Sequence, residues 1–119
     1  MKKALSLKDY KSCPVQFVLA VNDTLNSITG KWKLPIIGSL QFDKKRFTEI
    51  KRNIPKITPR MLSKELKDLE MNGIVKRTVY DTIPVSVEYE LTNSARMLGD
   101  VLDKMLEWGL QHRKSIIAK

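Results

Sequence analysis

A mainly helical chain with one small β-hairpin, an α+β class, is predicted by three observations. Apolar residues recur at steps of three and four along most of the sequence. One segment alone, residues 74 to 91, turns to Val, Thr and Tyr and then to apolar–acidic alternation. Immediately before it lies a helix with sharp ends, Thr58-Pro59 at the start and Asn72-Gly73 at the finish. With 119 residues and an apolar fraction of 42%, the chain can build one core but not two. Residues 1 to 12 read as a polar lead-in, and 13 to 119 as a single domain.

From Pro14 a first helix is expected, with Pro at its opening position and Val18, Val21, Leu25 and Ile28 along one side until Gly30 ends it. A second, short helix spans Trp32 to about Leu40 and turns Leu34, Ile37 and Leu40 inward. Pro35 lacks an amide hydrogen and fits only near a first turn, so this helix starts no earlier than Lys31. Arg46 to Asn53 makes a third, with Phe47, Ile50 and Ile54 on its covered side. Lys44, Lys45 and Arg46 crowd its N-terminus, where cations oppose the helix dipole. An external phosphate would account for them, and so would a solvated loop.

In the helix from Thr58 to Asn72, a rotation of about 100° per residue gathers Leu62, Leu66 and Leu69 on one side. Arg60, Lys64 and Lys67 fall nearly opposite, with Ser63 beside them. Such a stripe describes a solvated face as well as a binding face. Ile74 to Tyr80 and Val87 to Leu91 then read as two strands, with Glu88 and Glu90 alternating between Val87, Tyr89 and Leu91, and with Asp81 to Ser86 as the tip. Pro84 favours a longer loop over a tight two-residue turn. A helix, a turn, a capped basic helix and a hairpin, in that order, make a winged helix-turn-helix.

Thr92 caps a last long helix reaching to about Ser115. Leu98, Val101, Leu102, Met105 and Trp108 form its main stripe, and Met97, Leu106 and Leu110 widen that stripe beyond what one small domain covers. The excess points to a partner chain; a broad core-facing helix in a monomer is the alternative.

Charge is unevenly placed. Residues 44 to 77 hold 11 Lys and Arg against 4 acidic residues, a net of +7 out of +9 for the whole chain. A concentrated positive patch suits phosphate binding, because affinity grows with the number of counterions displaced together. One cysteine, Cys13, excludes an internal disulfide framework and fits a reducing compartment. No segment has the length and apolarity of a signal peptide or a membrane span, so the protein is expected in the cytoplasm without a membrane partner.

Catalysis finds little support. His112, the one histidine, and Cys13 lie almost a chain-length apart and make neither a metal cluster nor a nucleophile pair. Glu88 and Glu90 read as a solvent-facing row, and Trp32 and Trp108 as core or interface residues. No Gly-rich phosphate loop is present. Neither an enzyme nor a bound cofactor or metal is expected.

The order of elements, together with specific residues, resembles the HxlR family of bacterial and archaeal transcriptional regulators, which are dimeric winged helix-turn-helix proteins related to the MarR type. The residues that carry the resemblance are Cys13-Pro14, Gly30-Lys31-Trp32-Lys33, Arg46-Phe47 with Glu49-Ile50, and Ile57-Thr58 with Met61-Leu62. They continue through Leu66, Leu69-Glu70, Gly73, Arg77, Tyr80, Pro84, Val87-Glu88-Tyr89, Leu91-Thr92 and Glu107-Trp108, so that residues 13 to 112 are covered.

The resemblance implies that Arg46 to Asn53 is a supporting helix and that Thr58 to Asn72 lies in the DNA major groove. It makes Thr58, Arg60, Ser63, Lys64 and Lys67 the contacting residues, with Arg60 and Ser63 toward bases and Lys44, Lys45, Arg46 and Lys67 toward phosphates. The wing departs from the family pattern, with Asp81 where a Pro is common and Ser86 where a basic residue is common. Contacts to DNA from the wing then fall to Lys76, Arg77, Thr82 and Ser86. Some members of the family sense oxidants through a cysteine near the N-terminus. Cys13, close to Lys8 and Lys11 at a helix start, suits either such a thiolate or a small buried interface residue. The expected function is that of a regulator binding double-stranded DNA as a homodimer through its first and last helices, on a pseudo-palindromic operator. A winged-helix protein-interaction module and a non-specific nucleic-acid binder are the alternatives.

Overall fold

In a computed structural model, residues 14 to 117 of the chain are described. They form α1 (Pro14–Ile28), α2 (Lys33–Ser39), α3 (Phe47–Asn53), α4 (Pro59–Met71), β1 (Val75–Tyr80), β2 (Ser86–Leu91), α5 (Asn93–Arg96) and α6 (Leu98–Ile117). The lead-in assigned to residues 1 to 12, and Cys13 itself, lie outside the described residues.

The core forms where α2, α3 and α4 meet under the hairpin. Ile36, Ile37, Ile50, Leu62, Leu66 and Leu69 are its fully enclosed side chains, ringed by Leu40, Ile54, Ile57, Ile74, Val75, Leu91 and Ala95. Each enclosed Ile, Leu or Val contributes roughly 1.5–3 kcal/mol by leaving water. The inward set expected for α2 is corrected in one respect. Ile37 and Leu40 are buried and Leu34 half-buried, but Ile36, which the helical spacing left out, is also fully enclosed. The reason is that α2 packs against both α3 and α4, so that more than one side of this short helix is covered. Pro35 falls on the third residue of α2, within the first turn, where its missing amide breaks no helical bond.

Lys33, at the start of α2, places its Nζ 3.0 Å from Glu65 and 3.8 Å from Asp68 of α4. The Lys33 and Glu65 side chains are only 14% and 15% exposed, so this pair fixes the rotation of α4 against the core from a mostly shielded position. The far end of α4 is closed by a Schellman arrangement. Gly73 takes φ +74°, its N–H donates to the Glu70 carbonyl at 3.1 Å, and the Ile74 N–H donates to the Leu69 carbonyl at 2.9 Å.

The hairpin pairs β1 with β2 in register Val75↔Leu91 through Tyr80↔Ser86, leaving residues 81 to 85 as a loop that contains a cis Ile83-Pro84 peptide. Lys45 adds a bridge on the other edge of β2, its N–H and carbonyl bonding the carbonyl and N–H of Tyr89 at 2.9 and 2.8 Å. The segment before α3 is therefore tied into the sheet rather than left as a loop.

The single long helix expected after Thr92 is divided. Thr92 Oγ1 donates to the Gly73 carbonyl at 2.8 Å and accepts from the Ala95 N–H at 3.2 Å, which sets one turn, α5, and buries Ala95. The Met97 N–H then bonds the Ser94 carbonyl at 3.3 Å, a tighter spacing than α-helical, and α6 starts afresh at Leu98. Just beyond, Gly99 lets the Gln41 side chain approach the α6 backbone more closely than any Cβ would allow. In α6 no residue is buried, and in α1 only Ile28 is.

Candidate nucleic-acid interface

The α3–turn–α4 unit is built from short-range chemistry. Glu49 accepts the Arg46 N–H at 3.0 Å, which caps α3 and puts a carboxylate in its first turn, where the helix dipole favours it. Arginine has no acceptor atom, so the capping is one-sided. Between the helices, Lys56 takes φ +72°, an unusual conformation for a residue with a Cβ. Thr58 Oγ1 accepts the Met61 N–H at 3.1 Å, and Pro59 follows as the first residue of α4. Among the described residues the Thr58 hydroxyl hydrogen has no acceptor, and Thr58 itself is exposed.

With Leu62, Leu66 and Leu69 turned into the core, Arg60, Ser63, Lys64 and Lys67 are all exposed on the opposite side of α4. Strand alternation divides the wing residues between two faces. Val75, Arg77, Val79, Val87, Tyr89 and Leu91 share the side toward α4; Lys76, Thr78, Tyr80, Ser86, Glu88 and Glu90 share the other. On the α4 side an open cleft of about 310 Å³ is lined by Ser63, Lys67, Glu70, Arg77 and Tyr89. Three of the expected residues, Ser63, Lys67 and Arg77, thus come together from two elements, joined by Glu70 and Tyr89, which pattern reading had not assigned to the site. Strand alternation alone could have found Tyr89, which is paired with Arg77.

Other expected residues are placed elsewhere. Lys44 reaches the opposite face of the hairpin, with its Nζ 3.3 Å from Tyr80 Oη and 5.8 Å from the centre of that ring. The Tyr80 contact, with Glu88 and Glu90 nearby, holds the Lys44 ammonium above its ordinary pKa. Lys44 therefore braces the wing. Lys45 is pinned by its backbone to Tyr89, Arg46 remains exposed at the α3 N-terminus, and Lys76 lies on the Glu-bearing face. The Thr82 hydroxyl is engaged by the Pro84 carbonyl at 2.8 Å. Ser86 is half-buried, and its Oγ is shielded with no hydrogen-bond partner among the described residues.

Among the described residues no group of three or more His, Cys, Asp or Glu converges as a metal site, and no helix is long and apolar enough to cross a membrane.

Comparison with known proteins gives a consistent result. A family model described as HxlR-like helix-turn-helix matches residues 27–116. The HTH-type transcriptional regulator YtcD of Bacillus subtilis is 42% identical over 97 residues, covering 82% of this chain and 77% of that protein. An HTH-type transcriptional regulator of Methanothermobacter thermautotrophicus is 43% identical over 94 residues, covering 79% and 72%. Among solved structures, the redox regulator HypR in its reduced form superposes with a TM-score of 0.78 at 42% identity, covering 84% of this chain and 99% of that one. Diamide-treated YodB from B. subtilis gives a TM-score of 0.66 at 38% identity, covering 76% and 89%. These relatives are regulators, not enzymes.

Proposed function

The chain belongs to the HxlR-like helix-turn-helix family of transcriptional regulators, and from that membership we propose that it binds a specific double-stranded DNA operator as a homodimer. The observation that carries this reading is the cleft in which Ser63 and Lys67 of α4 meet Arg77 of the wing, continuous with exposed Arg60 and Lys64. Residues near the start of α4, Thr58, Arg60 and Ser63, are in position for base edges; Lys64, Lys67, Arg77 and Arg46 serve phosphates. Lys44 and Lys45 act mainly by holding the wing to the body.

The second copy is supported by the apolar sides of α1 and α6. Phe17, Val18, Val21 and Leu25 of the first, and Val101, Met105, Leu106, Trp108 and Leu110 of the last, face solvent in one chain. Exposed apolar stripes of that kind mark an interface. A two-fold dimer then requires an operator with half-sites about one helical turn apart, near 34 Å. The site of action is the cytoplasm.

The test is a binding series on genomic fragments against random duplex of equal length. Arg60→Ala with Lys64→Ala should abolish operator preference while leaving the dimer intact. Equal affinity of wild type for random and selected duplex would reject the specific-operator reading in favour of a non-specific binder. Unchanged DNA binding by the double variant would favour a protein-interaction module.

Redox control through Cys13 is the finer proposal. It is supported by the likeness to a redox regulator and by the place of Cys13 directly before α1. Oxidant should release wild type, but not Cys13→Ser, from the operator; identical responses would leave Cys13 a structural residue.

A further inference from the structure

A second open cleft, of about 280 Å³, lies between the segment that follows α2, the inner end of β2 and α5. Its polar lining is Gln41, Asp43, Lys44, Glu90 and Arg96, and Phe42 stands beside them 94% exposed. Two cations and two carboxylates leave this lining without net charge, so it offers no advantage to phosphate or any other polyanion. Lys44 is already engaged by Tyr80. Arg96 is only loosely held: its Nε donates to the Leu91 carbonyl at 3.4 Å, and its Nη2 lies 3.6 Å from Glu90 Oε2, beyond hydrogen-bond length. Among the described residues the Nη hydrogens therefore have no acceptor, and a positive and a negative head stand side by side. Gln41 supplies a third group. Its amide lies against Gly99 of α6, and its Oε1 is shielded from solvent with no hydrogen-bond partner among the described residues. Turning that amide to a donor in the cleft removes the cost of an unpaired buried acceptor.

We propose that this cleft is an effector site for a free α-amino acid with an apolar side chain. Its carboxylate takes the Arg96 guanidinium, its ammonium takes Glu90 and the Gln41 carbonyl, and its side chain lies under Phe42. An α-amino acid carries both charges on one carbon, and the Arg96–Glu90 pair presents the opposite charges at a matching separation of 3.6 Å. Asp43 adds to the pull on the ammonium. At ~30 Å³ per water-sized group the cleft holds roughly nine non-hydrogen atoms, the size of leucine. Occupancy bears on both parts of the regulator. The segment that lines the cleft bonds β2 through Lys45 and Tyr89, and it meets α6 through Gln41 and Gly99. A ligand that draws Gln41 away from Gly99 changes the seat of α6 on the body, and with it the separation of the two α4 helices in a dimer. That second step rests on the DNA-binding and dimer reading above; the site itself does not.

The experiment uses the full chain and three probes: L-leucine, 4-methylpentanoate, which lacks the ammonium, and 3-methylbutylamine, which lacks the carboxylate. Calorimetric titration without DNA should show binding of L-leucine, with each of the other two weaker by about tenfold or more. Arg96→Gln and Glu90→Gln should each weaken L-leucine by about tenfold. Phe42→Ala, at an exposed position that the core does not use, should weaken it by about threefold. On a duplex that the protein selects, L-leucine should change operator affinity by about threefold or more in wild type and not in Arg96→Gln. No binding of L-leucine, or equal binding of the three probes, would overturn the site. Equal leucine affinity for wild type, Arg96→Gln and Phe42→Ala would place leucine elsewhere on the chain and overturn it as well. Leucine binding with unchanged operator affinity would overturn the coupling to α6 and keep the site. Leucine binding by a chain that prefers no duplex would overturn the DNA-binding reading alone.

Discussion

In α4 the apolar side, Leu62, Leu66 and Leu69, is 2% exposed or less; in α6 nothing is buried, and Val101, Met105, Leu106, Trp108 and Leu110 stand 49 to 65% exposed. Both helices announce themselves by the same periodicity. What separates them is their surroundings. The α4 helix packs on α2 and carries β1 directly behind its Schellman cap, so its stripe is satisfied within the chain. Among the described residues, α6 packs on the core through Leu98 and Leu102 near its start, and none of its residues is buried. Helical spacing therefore specifies that a face will be covered, not by which molecule.

The strongest way to break this contrast is to damage each stripe in turn. Leu66→Ala removes a side chain enclosed on all sides and should lower unfolding free energy by about 3 kcal/mol, by the same amount at every protein concentration. Met105→Ser with Trp108→Ser should instead lower the mass seen by sedimentation from dimer to monomer and make the denaturation midpoint independent of concentration. A double variant that stays dimeric would show that α6 is exposed for some other reason.

Lys33 is a finer probe of how α4 is held. Removing it leaves Glu65, and in part Asp68, in a shielded position without a cation, so Lys33→Ala should cost about 1–3 kcal/mol, between the values for exposed and buried pairs. In a double-mutant cycle with Glu65→Ala, additive losses would show that the pair does not couple. In α6 the Lys104–Glu107 pair, 3.5 Å apart and open to solvent, is the counterpart. Breaking it should leave stability unchanged within error.

Thr58→Ala tests the start of α4. Losing the Oγ1 acceptor for the Met61 N–H should cost about 1 kcal/mol, with an equal loss in free and DNA-bound protein if Thr58 only caps. An additional loss of operator affinity would show that its hydroxyl also reaches DNA. Thr92→Ala, before α5, loses both a cap and the bond to Gly73, and should cost at least as much.

The legibility of the sequence follows the same division. Caps, glycine stops and the leucine face of α4 were readable because each is decided within a few residues, as the Thr58, Asn72-Gly73 and Leu62 placements show. The double burial of Ile36 and Ile37 was not, because it depends on two neighbours rather than on one period. Lys44 was read from charge alone, and its partner Tyr80 lies 36 residues away. The break at Met97 was likewise hidden, because it depends on Thr92 bonding back to Gly73 and on Gln41 meeting Gly99.

The smallest change large enough to measure concerns the turn that delivers α4. Lys56 holds φ +72°, where a Cβ crowds its own carbonyl at a cost of about 1–2 kcal/mol. Glycine relieves that strain but loses more backbone freedom on folding, by up to about 1 kcal/mol. The balance leaves Lys56→Gly more stable by roughly 0.5–1 kcal/mol, a rise of a few degrees in melting temperature. Dimer mass should not change, since the turn belongs to the part of the chain that completes its own core. If Lys56 also touches a phosphate, the variant melts higher but binds its operator more weakly, and the salt dependence of log affinity falls by about one unit of slope. A lower melting temperature would mean that the Lys56 side chain contributes more to the turn than its backbone strain removes, which would make this turn, like α6, dependent on something beyond its own local geometry.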